Sequence, residues 1–161
     1  MAAKNTVILK NYSNIFEEYE AEAATIYPGC LIELTSGNKV KVHATAGGNA
    51  LPMFAIEDAL QGKGIDENYA IGDKVRCWVP TRGDVVYGIL ADGQTIAKGD
   101  FVESNGAGYL QKHTPDEGSQ NAIYQNSIIG VSLDTESSAA GSEDSDINFL
   151  SVNRRIAVRI I

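Results

Sequence analysis

The chain has 161 residues, 43% of them hydrophobic, with 13 basic against 21 acidic residues and a net charge of −8. That length suffices for one domain, or one domain plus an arm, burying roughly 70% of its unfolded surface without covalent staples. The acidic balance speaks against nucleic-acid tracking, where Lys and Arg must release condensed counterions, and against anionic membranes.

Read from the N-terminus, Met1-Ala2-Ala3-Lys4 is followed by only three strong hydrophobes, Val7-Ile8-Leu9, too few for a signal-peptide core. Thr6 to Lys10 has strand character, and Asn14 with Glu17 three residues on predicts one or two capped helical turns. Glu17, Glu18, Glu20 and Glu22 make this stretch too polar for a core. Residues 1–25 therefore read as an extended N-terminal arm and 26–161 as a single β domain.

From Pro28-Gly29 onward the punctuation is dense: Ser36-Gly37-Asn38, Gly47-Gly48-Asn49, Gly62-Lys63-Gly64, Gly72-Asp73, Arg82-Gly83-Asp84, Asp92-Gly93, Gly99-Asp100 and Asn105-Gly106. Short β-branched and aromatic runs lie between these turns, the pattern of an all-β barrel or sandwich. Val75, Cys77 and Val79 share one face of a strand, as do Val85, Tyr87 and Ile89, with Val86 and Leu90 opposite. Apolar residues on both faces of a strand such as Val85 to Leu90 suggest a surface for self-association. Ile71-Gly72-Asp73-Lys74-Val75 echoes Ile96-Ala97-Lys98-Gly99-Asp100-Phe101-Val102, a Gly-Asp turn feeding a strand. Phe101 to Glu103 and Tyr109 to Lys112 flank an Asn-Gly hairpin. Asp134 to Asp146 is serine-rich and acidic and reads as a flexible exposed loop at 134–146. The last strand, Arg155 to Ile161, points Ile156, Val158 and Ile160 to one side, with Arg155 and Arg159 on a solvated face.

No catalytic constellation emerges. His43 ends a strand and His113 follows the hairpin, each reading as an ordinary surface or strand-end residue, and no nucleophile-elbow, zincin or Cys-x-x-Cys motif occurs. Cys77 reads as a small buried hydrophobe, and two cysteines make no disulfide framework. The adjacent acids Glu57-Asp58 and Asp66-Glu67 point to opposite faces in a strand, so neither pair forms a glycosidase unit. Glu143, Asp144 and Asp146 offer hard oxygens of the kind calcium prefers, but without EF-hand spacing. Gly62-Lys63-Gly64 and Gly106-Ala107-Gly108 lack phosphate-loop spacing and read as turns. Trp78, opposite Val75 and Cys77, is expected to be partly exposed, as an interface anchor or, with tyrosines, a sugar platform. The expectation is of a protein with no cofactor, no metal and no catalytic residues. A ligand- or carbohydrate-binding β module is the alternative.

Several stretches in order resemble the head decoration (cement) proteins of tailed bacteriophages. They are Asn5-Thr6-Val7-Ile8-Leu9-Lys10, Ile26-Tyr27-Pro28-Gly29-Cys30-Leu31-Ile32-Glu33-Leu34 and His43-Ala44-Thr45-Ala46-Gly47-Gly48-Asn49-Ala50. Phe54 to Glu57, Gln61 to Asp66, Tyr69 to Val79 and Gly99 to Val102 with its hairpin complete the set, over roughly residues 5–112. The resemblance implies a barrel-like, tulip-like β domain, usually a homotrimer, made in the host cytoplasm and placed on the outer surface of the virion. Its partner would be the major capsid protein, reached by the arm through Thr6, Val7, Ile8, Leu9, Lys10, Asn11 and Tyr12. Neither nucleic acid nor membrane is an expected partner.

Overall fold

Alternating apolar residues between closely spaced turns make strands that bury one or both faces, and that pattern sets the architecture. A computed structural model describes residues 4–12, 14–115, 126–137 and 155–161. It is all-β, with a single 3-10 turn at Ala59–Gln61 among the described residues.

Strands are numbered along the chain. A six-stranded sheet runs in the order β1 (Ile8–Lys10), β7 (Val85–Ile89), β13 (Arg155–Ile160), β11 (Gly130–Ser132), β9 (Phe101–Ser104), β10 (Leu110–Lys112). A five-stranded sheet has the order β3 (Ile32–Leu34), β4 (Lys39–Val42), β2 (Phe16–Ala21), β6 (Lys74–Trp78), β5 (Phe54–Ala55). A ribbon of β8 (Thr95–Ile96) and β12 (Glu136–Ser137) completes the set. All pairings are antiparallel except that of β2 with β4. The arrangement is sandwich-like, and among the described residues no sheet closes into a barrel.

Two cores result. One contains Val86, Ile156, Val158 and Ile160 of the large sheet together with Leu31, Phe54, Trp78 and Leu90. The second gathers Ile26, Ile32, Val40, Tyr69, Val75 and Cys77, joined by Ile89. β7 thus feeds both cores, so its two-sided apolar pattern is used within one chain. Cys30 and Cys77 are buried free thiols, each pushed up to about 12 by burial.

The helical turn expected at Asn14 to Glu17 is instead strand. Phe16 to Glu20 pair with Trp78 to Lys74 in antiparallel register, and Ala21 pairs with Val40. Tertiary pairing on both sides of β2 outweighs the weak local capping signal. The segment expected to be an arm therefore supplies β1 to one sheet and β2 to the other. Of the acidic loop, Asp134 accepts the Ala157 N–H at 2.8 Å and Glu136–Ser137 pair with β8, while 138–146 lie outside the described residues.

Arg155 departs most from its expected setting. Its face of β13 is not solvated at that point, and the side chain is only 3% exposed. Nη1 donates to the Pro28 carbonyl and Nη2 to that of Ile65, each at 2.7 Å, with Asp66 at 3.6 Å and the Tyr87 ring beside the guanidinium. Gly29 has φ +94°, and a Cβ there would overlap Arg155 Nη1.

The echoed Gly-Asp turns share one geometry. Asp73 and Asp100 each accept the N–H three residues back, from Ala70 at 2.8 Å and Ala97 at 2.9 Å. Asp84 does the same with Thr81 at 2.7 Å. The preceding glycines sit at φ +86°, +96° and +96° for Gly72, Gly83 and Gly99. In each turn the aspartate returns its own N–H to the same residue's carbonyl. The Ala70 N–H and Lys63 hold the Asp73 carboxyl below its usual range, and Lys112 with the Ala97 N–H does so for Asp100.

Two outcomes are expected. Arg155→Ala, which strands two carbonyls, should cost about 3 kcal/mol, or roughly 6–12 °C of thermal midpoint, and Gly29→Ala should also destabilise. Because the folded pKa values of Asp73 and Asp100 are depressed, their stabilisation is present above the unfolded carboxylate value and fades as pH falls below about 4. Thermal melts from neutral to acid pH should show that loss, and Asp73→Asn with Asp100→Asn should flatten it.

Candidate functional site

An unpaired sheet edge is a row of main-chain donors and acceptors open to another chain, so each edge needs an accounting. The ends of the five-stranded sheet are stitched to each other. Ile32 N–H donates to Met53 O at 2.9 Å and Ala55 N–H to Cys30 O at 3.0 Å. β10 is partly covered, since Ala91 N–H donates to Leu110 O and Lys112 N–H to the Gln94 side chain. β1 pairs with β7 on one side, and among the described residues no main-chain bond reaches its other side.

The predicted partner-binding residues line this edge. Thr6 donates its hydroxyl to Glu57, whose other oxygen accepts the Val7 N–H at 3.0 Å. Val7 is fully buried in the first core, and its carbonyl accepts the Tyr87 N–H at 2.7 Å. Ile8 and Leu9 are half-buried. Lys10 is exposed with its ammonium 4.9 Å from the centre of the Tyr12 ring. The exposed Asn11 side chain donates to Asn14, and Tyr12 donates its N–H to Asp84 while its ring stays 67% exposed. The adjacent acids Glu57 and Asp58 are thereby divided: Glu57 anchors β1 and Asp58 caps the 3-10 turn.

Beside this edge lies a groove of about 620 Å³ that the sequence did not reveal. Residues 49–52, Arg82, Asn126 with Ile128, and Ile161 form its walls, so two asparagines stand among the apolar side chains. They come from four separated stretches of chain, which no sequence period relates. Tyr12 connects the groove to β1, because its ring packs over Gly83 next to Arg82.

The remaining candidates resolve into structural roles. His43 is buried, against expectation. Its Nε2 lies 3.1 Å from the Asn49 carbonyl, which can only accept, so Nε2 carries the proton and Nδ1 accepts the Ser104 hydroxyl at 2.8 Å. Ser104 in turn accepts the Gly106 N–H at 3.1 Å, and Glu33 stands 3.7 Å from Nε2. This Ser-His-Glu grouping has a serine with no exposed surface and serves to fasten the 105–108 turn. His113 bonds Glu103, which also accepts from Gln111 at 2.9 Å. Trp78 is fully buried rather than partly exposed, since both faces of β6 are covered by the two cores. It offers no surface to a sugar. Among the described residues no group of three or more His, Cys, Asp or Glu could hold a metal ion, and Glu143, Asp144 and Asp146 lie outside them.

The fold and its exposed features define an all-β, two-sheet domain with an open N-terminal edge and an adjoining apolar groove. The same fold is found in the head fiber gp8.5 N base of bacteriophage phi29, with a TM-score of 0.53 and 11% sequence identity over 92% of this chain and 95% of that one. No protein-family model and no curated protein sequence matches the chain.

Because Val7 is core and β1 is laddered to β7, deleting residues 2–12 should lower the thermal midpoint. Val7→Ala should cost about 2 kcal/mol, whereas Lys10→Ala should stay within about 0.5 kcal/mol. Denaturant melts of the three variants check this ordering.

Proposed function

We propose that this chain is a structural virion protein that decorates and stabilises the outer surface of a phage capsid by binding the major capsid protein. The observation that carries the reading is the fold shared, over nearly the whole length of both chains, with a phage head fiber base. The order of sequence stretches that resembles head decoration proteins supports it independently.

In this reading β1 stays in its own sheet and offers its open edge and the exposed Lys10, Asn11 and Tyr12 to the shell. Main-chain bonding along an edge supplies affinity, and alternate side chains supply register. An acidic surface suits the outside of a shell better than a wall facing packaged DNA. A homotrimer would place three such edges on one particle, so modest single contacts become tight through effective concentration. The activity is binding rather than catalysis, in keeping with a buried His43 whose two ring nitrogens are both bonded and a His113 whose Nδ1 bonds Glu103.

Co-sedimentation with purified phage shells, before and after expansion, tests this reading. The expected outcome is saturable binding in threefold clusters, and light scattering of the free protein at a multiple of its 17.2 kDa mass. Absence of binding to either shell form would overturn it.

A further inference from the structure

Several cations of this acidic chain meet carboxylates, while among the described residues Lys4, Lys74, Arg76 and Lys98 do not. Lys41 reaches Glu33 at 3.3 Å, Lys63 reaches Asp73 at 3.2 Å, Lys112 reaches Asp100 at 2.9 Å, and Lys39 pairs with Glu20. Arg82 is exposed and has no carboxylate partner among the described residues. Arg159 is likewise exposed and unmatched, and Lys10 has only the Tyr12 ring. Register brings them together, for Lys10 and Arg159 flank Val85 from its two neighbouring strands, three residues along the chain from Arg82. Three cations without a carboxylate partner among the described residues, Lys10, Arg82 and Arg159, thus lie close together where β1 meets the groove.

The groove adds an apolar component. Leu51 is 61% exposed, Ile161 44% and Ile128 37%, three branched aliphatic side chains facing water around one arginine. A guanidinium set in such walls is suited to a carboxylate, which it grips through paired N–H donors, and arginine so placed is a frequent energetic centre of protein interfaces. Among the described residues no aromatic side chain lines the groove, so they offer no stacking surface of the kind a sugar would use. One groove arginine with two outlying cations is too little positive charge to track a polyphosphate backbone.

We propose that this groove docks a protein segment of the capsid shell carrying an acidic residue beside a large apolar one, the carboxylate on Arg82 and the apolar side chain between Leu51, Ile128 and Ile161. The inference rests on the shell-binding reading above and identifies the chemistry of the partner. Continuity argues for the shell as occupant: Tyr12 joins the groove to the β1 edge, so one partner surface can lie across both.

The experiment uses full-length protein and purified shells. Arg82→Glu and Leu51→Asp should each weaken co-sedimentation roughly tenfold or more, with unchanged thermal midpoints and unchanged scattering mass. Arg82→Gln, which removes the charge without reversing it, should also weaken binding. Lys74→Glu, the same charge change at the far end of β6, should leave binding intact. Raising the salt should weaken the wild type more than Arg82→Gln. Shell binding by all groove variants at wild-type strength, with folded protein, would overturn the proposal while leaving the shell-binding reading in place. A change of scattering mass in the groove variants would also overturn it, by identifying a second copy of the chain as the occupant. Failure of the wild type to bind any shell would remove the reading on which the proposal rests.

Discussion

A buried guanidinium organises this molecule. Arg155 begins β13 next to Ile89, where β7 contributes to both cores. Taking such a charge out of water costs several kcal/mol unless its donors are satisfied. Here two carbonyls from distant loops, at Pro28 and Ile65, accept from Nη1 and Nη2, Asp66 supplies the opposing charge and the Tyr87 ring lies alongside. The buried Nε has no hydrogen-bond partner among the described residues. Burial lowers the guanidinium's pKa, and Asp66 is the leading opposing influence. The same contacts hold the 28–29 and 65–66 loops against the large sheet. They thereby hold the second core, which contains Ile26 and Tyr69 near those loops, against the first. Gly29 belongs to this arrangement, since its left-handed backbone and missing Cβ leave the space the guanidinium fills.

A second recurring device sets the entry of strands. In three turns, at Asp73, Asp84 and Asp100, a glycine with positive φ is followed by an aspartate that accepts the N–H three residues earlier. The carboxylate satisfies a donor that the turn would otherwise leave to water, and the chain leaves directed into β6, β7 and β9. Asp84 has a further duty, accepting the Tyr12 N–H and so fastening the N-terminal segment beside β7. Local turn chemistry is thereby linked to the position of the open edge.

That edge and the groove next to it form the most distinctive surface of the protein. The five-stranded sheet consumes its own edges through the Ile32–Met53 and Cys30–Ala55 main-chain bonds, and β10 is partly screened by the 91–94 segment. β1 keeps a free side while Val7 anchors it from beneath. A strand held by its core residue and open along its flank can accept a partner without leaving its own sheet, so binding need not unfold anything. Exposed Leu51, Ile128 and Ile161 extend the same surface into an apolar recess edged by Arg82.

The sequence by itself determined the all-β class, the two strands flanking the Asn-Gly hairpin, the shared face of Ile156, Val158 and Ile160, and the Gly-Asp turns. Each depends on period-two alternation or on turn chemistry confined to a few neighbouring residues. It also marked Thr6 to Lys10 as strand. What it could not carry was anything set by partners far along the chain. β2 became strand because β4 and β6 claimed both its sides, over a local helix-cap pattern at Asn14 and Glu17. Trp78 and His43 were buried because layers from elsewhere closed over them, and Arg155 because carbonyls 127 and 90 residues away were brought to its donors. The groove was the least legible feature. Leu51, Arg82, Ile128 and Ile161 share no period and no motif, and only the closure of the two sheets places four unrelated loops around one recess.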